Sequence, residues 1–166
     1  RGQVDYAFLG GAQIDKRGNI NSTCIGDFYK PKVRFPGSGG ANDFASLCWR
    51  TMIMTVHEKA RFVEKGDFVT SPGFLEGDGA REAVGLPEGG PYKIVTDLAV
   101  MGFEETSKAM LIESLHPGVD VAKVQSETGF ELIVPAQIGR TEPPTEQELR
   151  ILREEVDPLK LVIGRS

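Results

Sequence analysis

The stretch Lys32-Val33-Arg34-Phe35-Pro36-Gly37-Ser38-Gly39-Gly40-Ala41-Asn42, continued by Asp43 to Cys48 and then by Met52-Ile53-Met54-Thr55-Val56, decides the fold class. Lys32 to Phe35 is short and extended, and Pro36 with the glycines behind it stops it. Ala41 to Cys48 reads as a short helix leaving the glycine loop. Met52 to Val56 is an apolar strand of the kind buried in a sheet. A strand, a glycine loop, a helix and a buried strand in that order point to an α/β domain, with at least part of its sheet covered on both faces.

The flanking sequence repeats the alternation. Val4 to Leu9 is a strand ending at Gly10-Gly11, and Asp15-Lys16-Arg17-Gly18-Asn19 is turn chemistry. Ile20 to Ile25 reads as one strand, with Ile20, Ser22 and Cys24 on one face. Phe68-Val69 reads as a short strand. Residues 71–91 form a Gly/Pro-rich surface loop with a helical turn near Arg81-Glu82-Ala83-Val84. Lys93 to Thr96 and Leu98 to Met101 are paired strands, and Ala109 to Ile112 is another. Asp120 caps a helix over Val121 to Thr128, which Gly129 stops. Phe130 to Val134 is a strand. Pro143-Pro144 introduces a last helix with capping-box spacing at Thr145 and Glu148, and Leu149, Leu152 and Val156 lie on one face. No domain boundary interrupts residues 1–166.

Composition narrows the class. Apolar residues make up 40% and charged residues 26% of 166 residues, a globular balance with too much apolar content for a disordered chain. The net charge of -5 disfavours general attraction to nucleic acid or anionic lipid. No apolar run spans a bilayer and no signal peptide is visible, so the cytoplasm is the default compartment. The sequence opens on Arg1 and runs almost at once into a strand, which reads as a start inside a domain.

The glycine loop carries the sharpest chemical signal. Adjacent glycines let backbone N–H groups approach a ligand, and the helix start behind them adds partial positive charge, which suits a phosphate or an oxyanion. The Lys-Ser/Thr pair of a P-loop and the third glycine of the dinucleotide fingerprint are missing. Gln13 offers an amide to a carbonyl or carboxylate at a second strand end, where Gly10-Gly11 suits a tight corner. Asn19, Asn21 and Ser22 suit either a cleft lining or the satisfaction of loop backbone. His57-Glu58-Lys59 with Arg61 reads as a solvated charge cluster; His-Glu-x-x-His is absent and His116 lies far off, so no metal site is expected. Cys24 reads as a buried small hydrophobe, and Cys24 with Cys48 makes no disulfide framework. Glu76, Asp78 and Glu82 face solvent.

Gly10-Gly11-Ala12-Gln13-Ile14-Asp15, Gly18-Asn19-Ile20-Asn21-Ser22-Thr23 and Ile25-Gly26-Asp27 together resemble the beta subunit of family I CoA-transferases. The likeness continues through Pro31-Lys32, Arg34-Phe35, Gly37 to Asn42, His57-Glu58-Lys59, Val69 to Gly73, Arg81-Glu82, Gly85-Leu86-Pro87, Val95-Thr96-Asp97, Thr128-Gly129-Phe130 and Ile151 to Pro158. It implies an open α/β sheet flanked by helices, of the NagB/RpiA type and incomplete at its N-terminus. It implies transfer of CoA between small mono- or dicarboxylic acids through acyl-glutamyl anhydride and glutamyl-CoA thioester intermediates. The family's nucleophilic glutamate precedes the Gly-Gly-Ala-Gln segment and so falls outside this sequence; Glu58 belongs to a different motif. Gly39, Gly40 and Ala41 match the glycine motif beside the active site and take the part of an oxyanion loop. Gln13, Asn21, Ser38 and Asn42 are the candidate substrate-binding residues. The resemblance implies an alpha subunit as partner in a hetero-oligomer, acyl-CoA and carboxylate substrates, and no bound cofactor beyond CoA as substrate. Phosphates of CoA call for basic groups, which Lys30, Lys32 and Arg34 or the partner supply. Two other readings stand beside this one: a CoA-ester hydrolase or decarboxylase on the same fold, and a non-catalytic half used for assembly or ligand binding.

Overall fold

The computed structural model of the protein describes residues 3–162. Its main sheet holds six strands in the order β1-β6-β8-β9-β10-β11. These are β1 (Tyr6–Leu9), β6 (Arg50–Met54), β8 (Pro91–Val95), β9 (Ala99–Phe103), β10 (Met110–Leu115) and β11 (Gly139–Arg140). β1, β6 and β8 run parallel, β8-β9 and β9-β10 are antiparallel, and β11 lies parallel to β10. A second sheet joins β2 (Gln13–Asp15) to β3 (Ile20–Asn21) and β7 (Phe62–Val63). β4 (Cys24–Gly26) and β5 (Pro31–Arg34) form a separate hairpin.

Helix α1 (Ala41–Leu47) follows the glycine loop and packs on β1 and β6. The others are α2 (Ala80–Ala83), α3 (Val121–Ser126) and α4 (Glu146–Ile151), the last running into a π-helical turn over Leu152–Val156. Ala45 of α1 and Val124 of α3 join one core with Ile53, Ile94, Met101 and Ile112 of the main sheet and with Ile14 and Phe62 of the small one. Among the described residues no helix is long and apolar enough to cross a membrane.

The β8-β9 pair and the caps of α3 and α4 follow the sequence. Asp120 accepts from the Lys123 N–H, and Thr145 with Glu148 closes a full capping box. Four strand readings need correction. Ile20 to Ile25 is two strands in different sheets, because the Asn21 side chain accepts from the Thr23 and Cys24 N–H groups and turns the chain between them. Phe68-Val69 is no strand: Phe68 stacks on Phe28, and Phe62-Val63 pairs with β2 instead. Phe130 to Val134 makes a single bridge at Ile133, since the Gln125 side chain takes the Phe130 carbonyl and the Leu132 N–H that a neighbouring strand would use. Finally, β6 alternates. Thr51 and Ile53 are buried while Met54 is exposed, so one face of β6 meets the core and the other is more open. The apolar stripe of the last helix is likewise open, with no residue of α4 buried and Val156 exposed.

Candidate active site

The glycine loop is an outward shelf anchored from below. Ser22 holds Gly37 twice: its carbonyl accepts the Gly37 N–H at 3.0 Å and its hydroxyl donates to the Gly37 carbonyl at 3.0 Å. Thr70 steadies that anchor, accepting the Ser22 N–H at 2.8 Å and meeting the Thr23 hydroxyl at 2.7 Å. Gly37 (φ +93°) and Gly39 (φ +50°) occupy the left-handed region, which makes glycine the fitting residue at both. Gly40 returns to right-handed geometry as the N-cap of α1.

The Ala41 N–H donates to the Ser38 carbonyl, closing the turn. The N–H groups of Gly39 and Gly40 find no acceptor among the described residues, and both glycines are exposed. Ser38 donates its hydroxyl to the Gly39 carbonyl. Asn42 accepts from the Ser46 hydroxyl one helical turn on.

Gln13 and Asn21 are both buried, and their side chains hydrogen-bond to no residue of the glycine loop among the described residues. Gln13 donates to Asp67 at 3.0 Å and accepts from the Asn21 amide at 2.7 Å and the Asp67 N–H at 3.0 Å. Asn21 also donates to the Cys24 carbonyl. Asp67 in turn accepts the Gly26 N–H, so this network ties β2, β3 and the base of the β4-β5 hairpin together. It fixes the Ser22-Thr23 segment from which the glycine loop hangs. At the corner before it, a Cβ on Gly11 would stand 2.2 Å from Ile20, so the close approach requires glycine.

Asn19 has a comparable structural task. It accepts the Gly73 and Leu75 N–H groups and donates to the Leu75 carbonyl and to Asp15. Burial pushes the Asp15 carboxyl up, partly offset by hydrogen bonds from the Asn19 side chain and from backbone N–H groups. A cavity of about 450 Å³ opens beside Asp15, Arg17 and Leu75, and none of residues 36–42 lines it.

The expected charge cluster at residues 57–61 divides. Glu58 and Lys59 are exposed, whereas His57 is buried, stacked on Phe62 with 4.4 Å between ring centroids. Its Nδ1 lies 3.1 Å from the Thr96 hydroxyl and its Nε2 lies 3.0 Å from the Thr128 hydroxyl. Thr128 gives its own proton to the Val124 carbonyl and so accepts from Nε2–H, whereas the single Thr96 hydroxyl proton is shared between the Ala99 carbonyl, 3.1 Å away, and Nδ1. Burial pulls the His57 pKa below its ordinary 6.5, against the opposing pull of Asp97 and Glu127. The unfolded chain therefore binds the proton more tightly. The stability contributed by neutral His57 is full above pH 6.5 and is lost as pH falls through the lower folded value. Urea titrations between pH 7.5 and 5 are expected to show stability falling on acidification, with a shallower slope in His57→Gln. Asp15, whose carboxyl burial pushes up, acts with the opposite sign.

Sequence reasoning placed Arg81 in a helical turn and gave it no role. Its buried guanidinium donates to the carbonyls of Gly73 (2.9 Å), Ala45 (3.1 Å), Pro72 (3.3 Å) and Pro87 (3.4 Å). Ala45 belongs to the last turn of α1, which has no basic residue of its own, so Arg81 serves as its C-terminal cation. No isolated residue pattern signals this role, because the partners lie on three separate segments.

The sequence model of the coenzyme A transferase family matches residues 1–127. The chain is 47% identical to the beta subunit of glutaconate CoA-transferase from Acidaminococcus fermentans, over 92% of this chain and 57% of that protein. It is 45% identical to the beta subunit of 3-oxoadipate CoA-transferase from Pseudomonas knackmussii, over 92% and 58%. It therefore spans a little over half the length of these relatives. The crystal structure of the Acidaminococcus fermentans glutaconate coenzyme A-transferase superposes with a TM-score of 0.92 at 44% identity, covering 97% of this chain and 62% of that one. The IpdB component of the cholesterol ring-cleaving hydrolase of Rhodococcus jostii is 30% identical over 94% of this chain and 61% of that protein, and the IpdAB structure superposes with a TM-score of 0.80. The family model covers most of the chain and the fold superposes on a solved member: the chain belongs to the coenzyme A transferase family.

Proposed function

We propose that this chain is part of the beta subunit of a cytoplasmic, hetero-oligomeric acyl-CoA:carboxylate CoA-transferase acting on small mono- or dicarboxylic acids. The carrying observation is the glycine shelf, where the N–H groups of the exposed Gly39 and Gly40 have no acceptor among the described residues, on an anchored loop. A glutamate preceding the Gly10–Gln13 segment attacks the thioester carbonyl, giving an acyl-glutamyl anhydride and CoA thiolate. The thiolate attacks the glutamyl carbonyl, forming glutamyl-CoA thioester and releasing the first carboxylate. The acceptor carboxylate then attacks that thioester, and the returning thiolate takes the new acyl group and frees the glutamate. Negative charge develops on a carbonyl oxygen at each attack, which is where donors from Gly39 and Gly40 act. Ser38 and Asn42 flank the shelf as substrate contacts, while Gln13 and Asn21 position it through Ser22.

The likeness to IpdB supports a second reading, hydrolysis of a CoA ester. Acceptor dependence separates the two. With glutaconyl-CoA and the alpha subunit present, transfer predicts acetyl-CoA formation on adding acetate and little free CoA without it. Steady release of free CoA with no carboxylate acceptor overturns the transferase reading.

A further inference from the structure

The β4-β5 hairpin carries a group of features that the shelf does not use. Lys30, Lys32 and Arg34 recur at every second position, all three exposed, in a chain of net charge -5. None of the three has a carboxylate within ion-pair distance among the described residues, so no internal ion pair neutralises their charge. At the tip, Tyr29 is 91% exposed, more than any other large hydrophobic side chain described.

The tip is braced. Asp27 accepts the N–H groups of Tyr29 and Lys30 at 2.9 Å each, an Asx turn that sets the backbone. Phe28 packs on Phe68 with 5.3 Å between centroids, the Arg34 guanidinium lies 4.8 Å from the Phe28 ring centroid, and the Tyr29 ring stands T-shaped to Phe28 with 5.3 Å between centroids. Phe28 and Arg34 thus act as scaffold, leaving the Tyr29 ring and two ammonium groups outward. A fixed aromatic face beside unpaired cations matches a purine ring carrying phosphates. Strand β5 leads from this tip into the shelf: Lys32 stands seven residues before Gly39, at most about 25 Å along a fully extended chain. An extended pantetheine arm bridges such a separation.

We propose that this hairpin docks the nucleotide end of coenzyme A, with Tyr29 stacked on the adenine and Lys30 and Lys32 on the phosphates. The assignment rests on the CoA-transferase reading for its ligand, and its test separates the two. In the assembled complex, the double variant Lys30→Glu/Lys32→Glu is expected to raise KM for glutaconyl-CoA about tenfold or more with kcat little changed. Kinetics with glutaconyl-pantetheine, which lacks the nucleotide, stay as in wild type. Tyr29→Ala raises KM for the CoA ester alone. Direct titration with adenosine 3′-phosphate 5′-diphosphate gives a readout independent of turnover: wild type binds, more weakly as salt rises, and the double variant does not. Equal affinity in variant and wild type, no binding by wild type, or equal KM increases for both thioesters overturns the assignment. Nucleotide binding without CoA transfer by wild type retains the hairpin site and rejects the transferase reading instead.

Discussion

Gly40→Val in the assembled complex is expected to lower kcat/KM for CoA transfer about a hundredfold or more, the scale set by loss of one oxyanion donor. The structure makes this position the cleaner of two. Gly40 has right-handed φ of -82°, and a Cβ there would stand 3.5 Å from Phe44, an ordinary contact. The substitution therefore leaves α1 intact while placing a branched side chain beside the free N–H groups. Gly39→Val presents no clash either, since nothing lies within 4 Å of its Cβ position. However, φ of +50° forces a β-branched residue into the left-handed region at a cost of roughly 1–2 kcal/mol, mixing strain with obstruction. Steady-state kinetics on Gly40→Ala and Gly40→Val, with assembly checked by size-exclusion chromatography, decide the matter. Undiminished turnover in an assembled Gly40→Val complex rejects the oxyanion role.

Arg81→Ala is expected to destabilise the protein by about 3 kcal/mol or more, lowering the melting temperature on the order of 10 °C. Truncation strips four buried or half-buried carbonyls of one donor group and leaves a hole beside Phe74 and Gly90. It also uncaps α1 and so loosens the helix behind the shelf. Arg81→Lys restores the charge but not the planar fork, and is expected to fall between alanine and wild type. Thermal and urea unfolding of the purified variants give the values. A change below about 0.5 kcal/mol in Arg81→Ala, the range of ordinary surface substitutions, contradicts the clamp.

What could be read from the sequence had a local cause. Asp120, Thr145 with Glu148, and Pro36 with its glycines act within a few residues, so their caps and turns stand where expected. The glycine loop was legible for the same reason: Gly37 and Gly39 are demanded by backbone geometry that no side chain elsewhere has to supply. What escaped depended on distant partners. His57 looks solvated beside Glu58 and Lys59, yet Thr96 and Thr128 arrive from other segments to enclose it. Phe130 to Val134 has strand composition, yet Gln125 occupies its backbone groups. Arg81 sits in a Gly/Pro-rich loop that invites a surface reading, and only the folded chain brings Ala45, Gly73 and Pro87 around it. Asn21 resembles a cleft residue by type, but its hydrogen bonds with Gln13, Thr23 and Cys24 make it part of the frame.

A denaturing intact-mass spectrum of the complete complex after incubation with glutaconyl-CoA tests covalent CoA transfer most directly. Glutamyl-CoA thioester formation predicts that the beta chain gains the mass of CoA less one water, on a glutamate preceding the Gly10–Gln13 segment, and that adding acetate removes the adduct as acetyl-CoA forms. Free CoA accumulating without acceptor, while every chain keeps its unmodified mass throughout the reaction, contradicts the account.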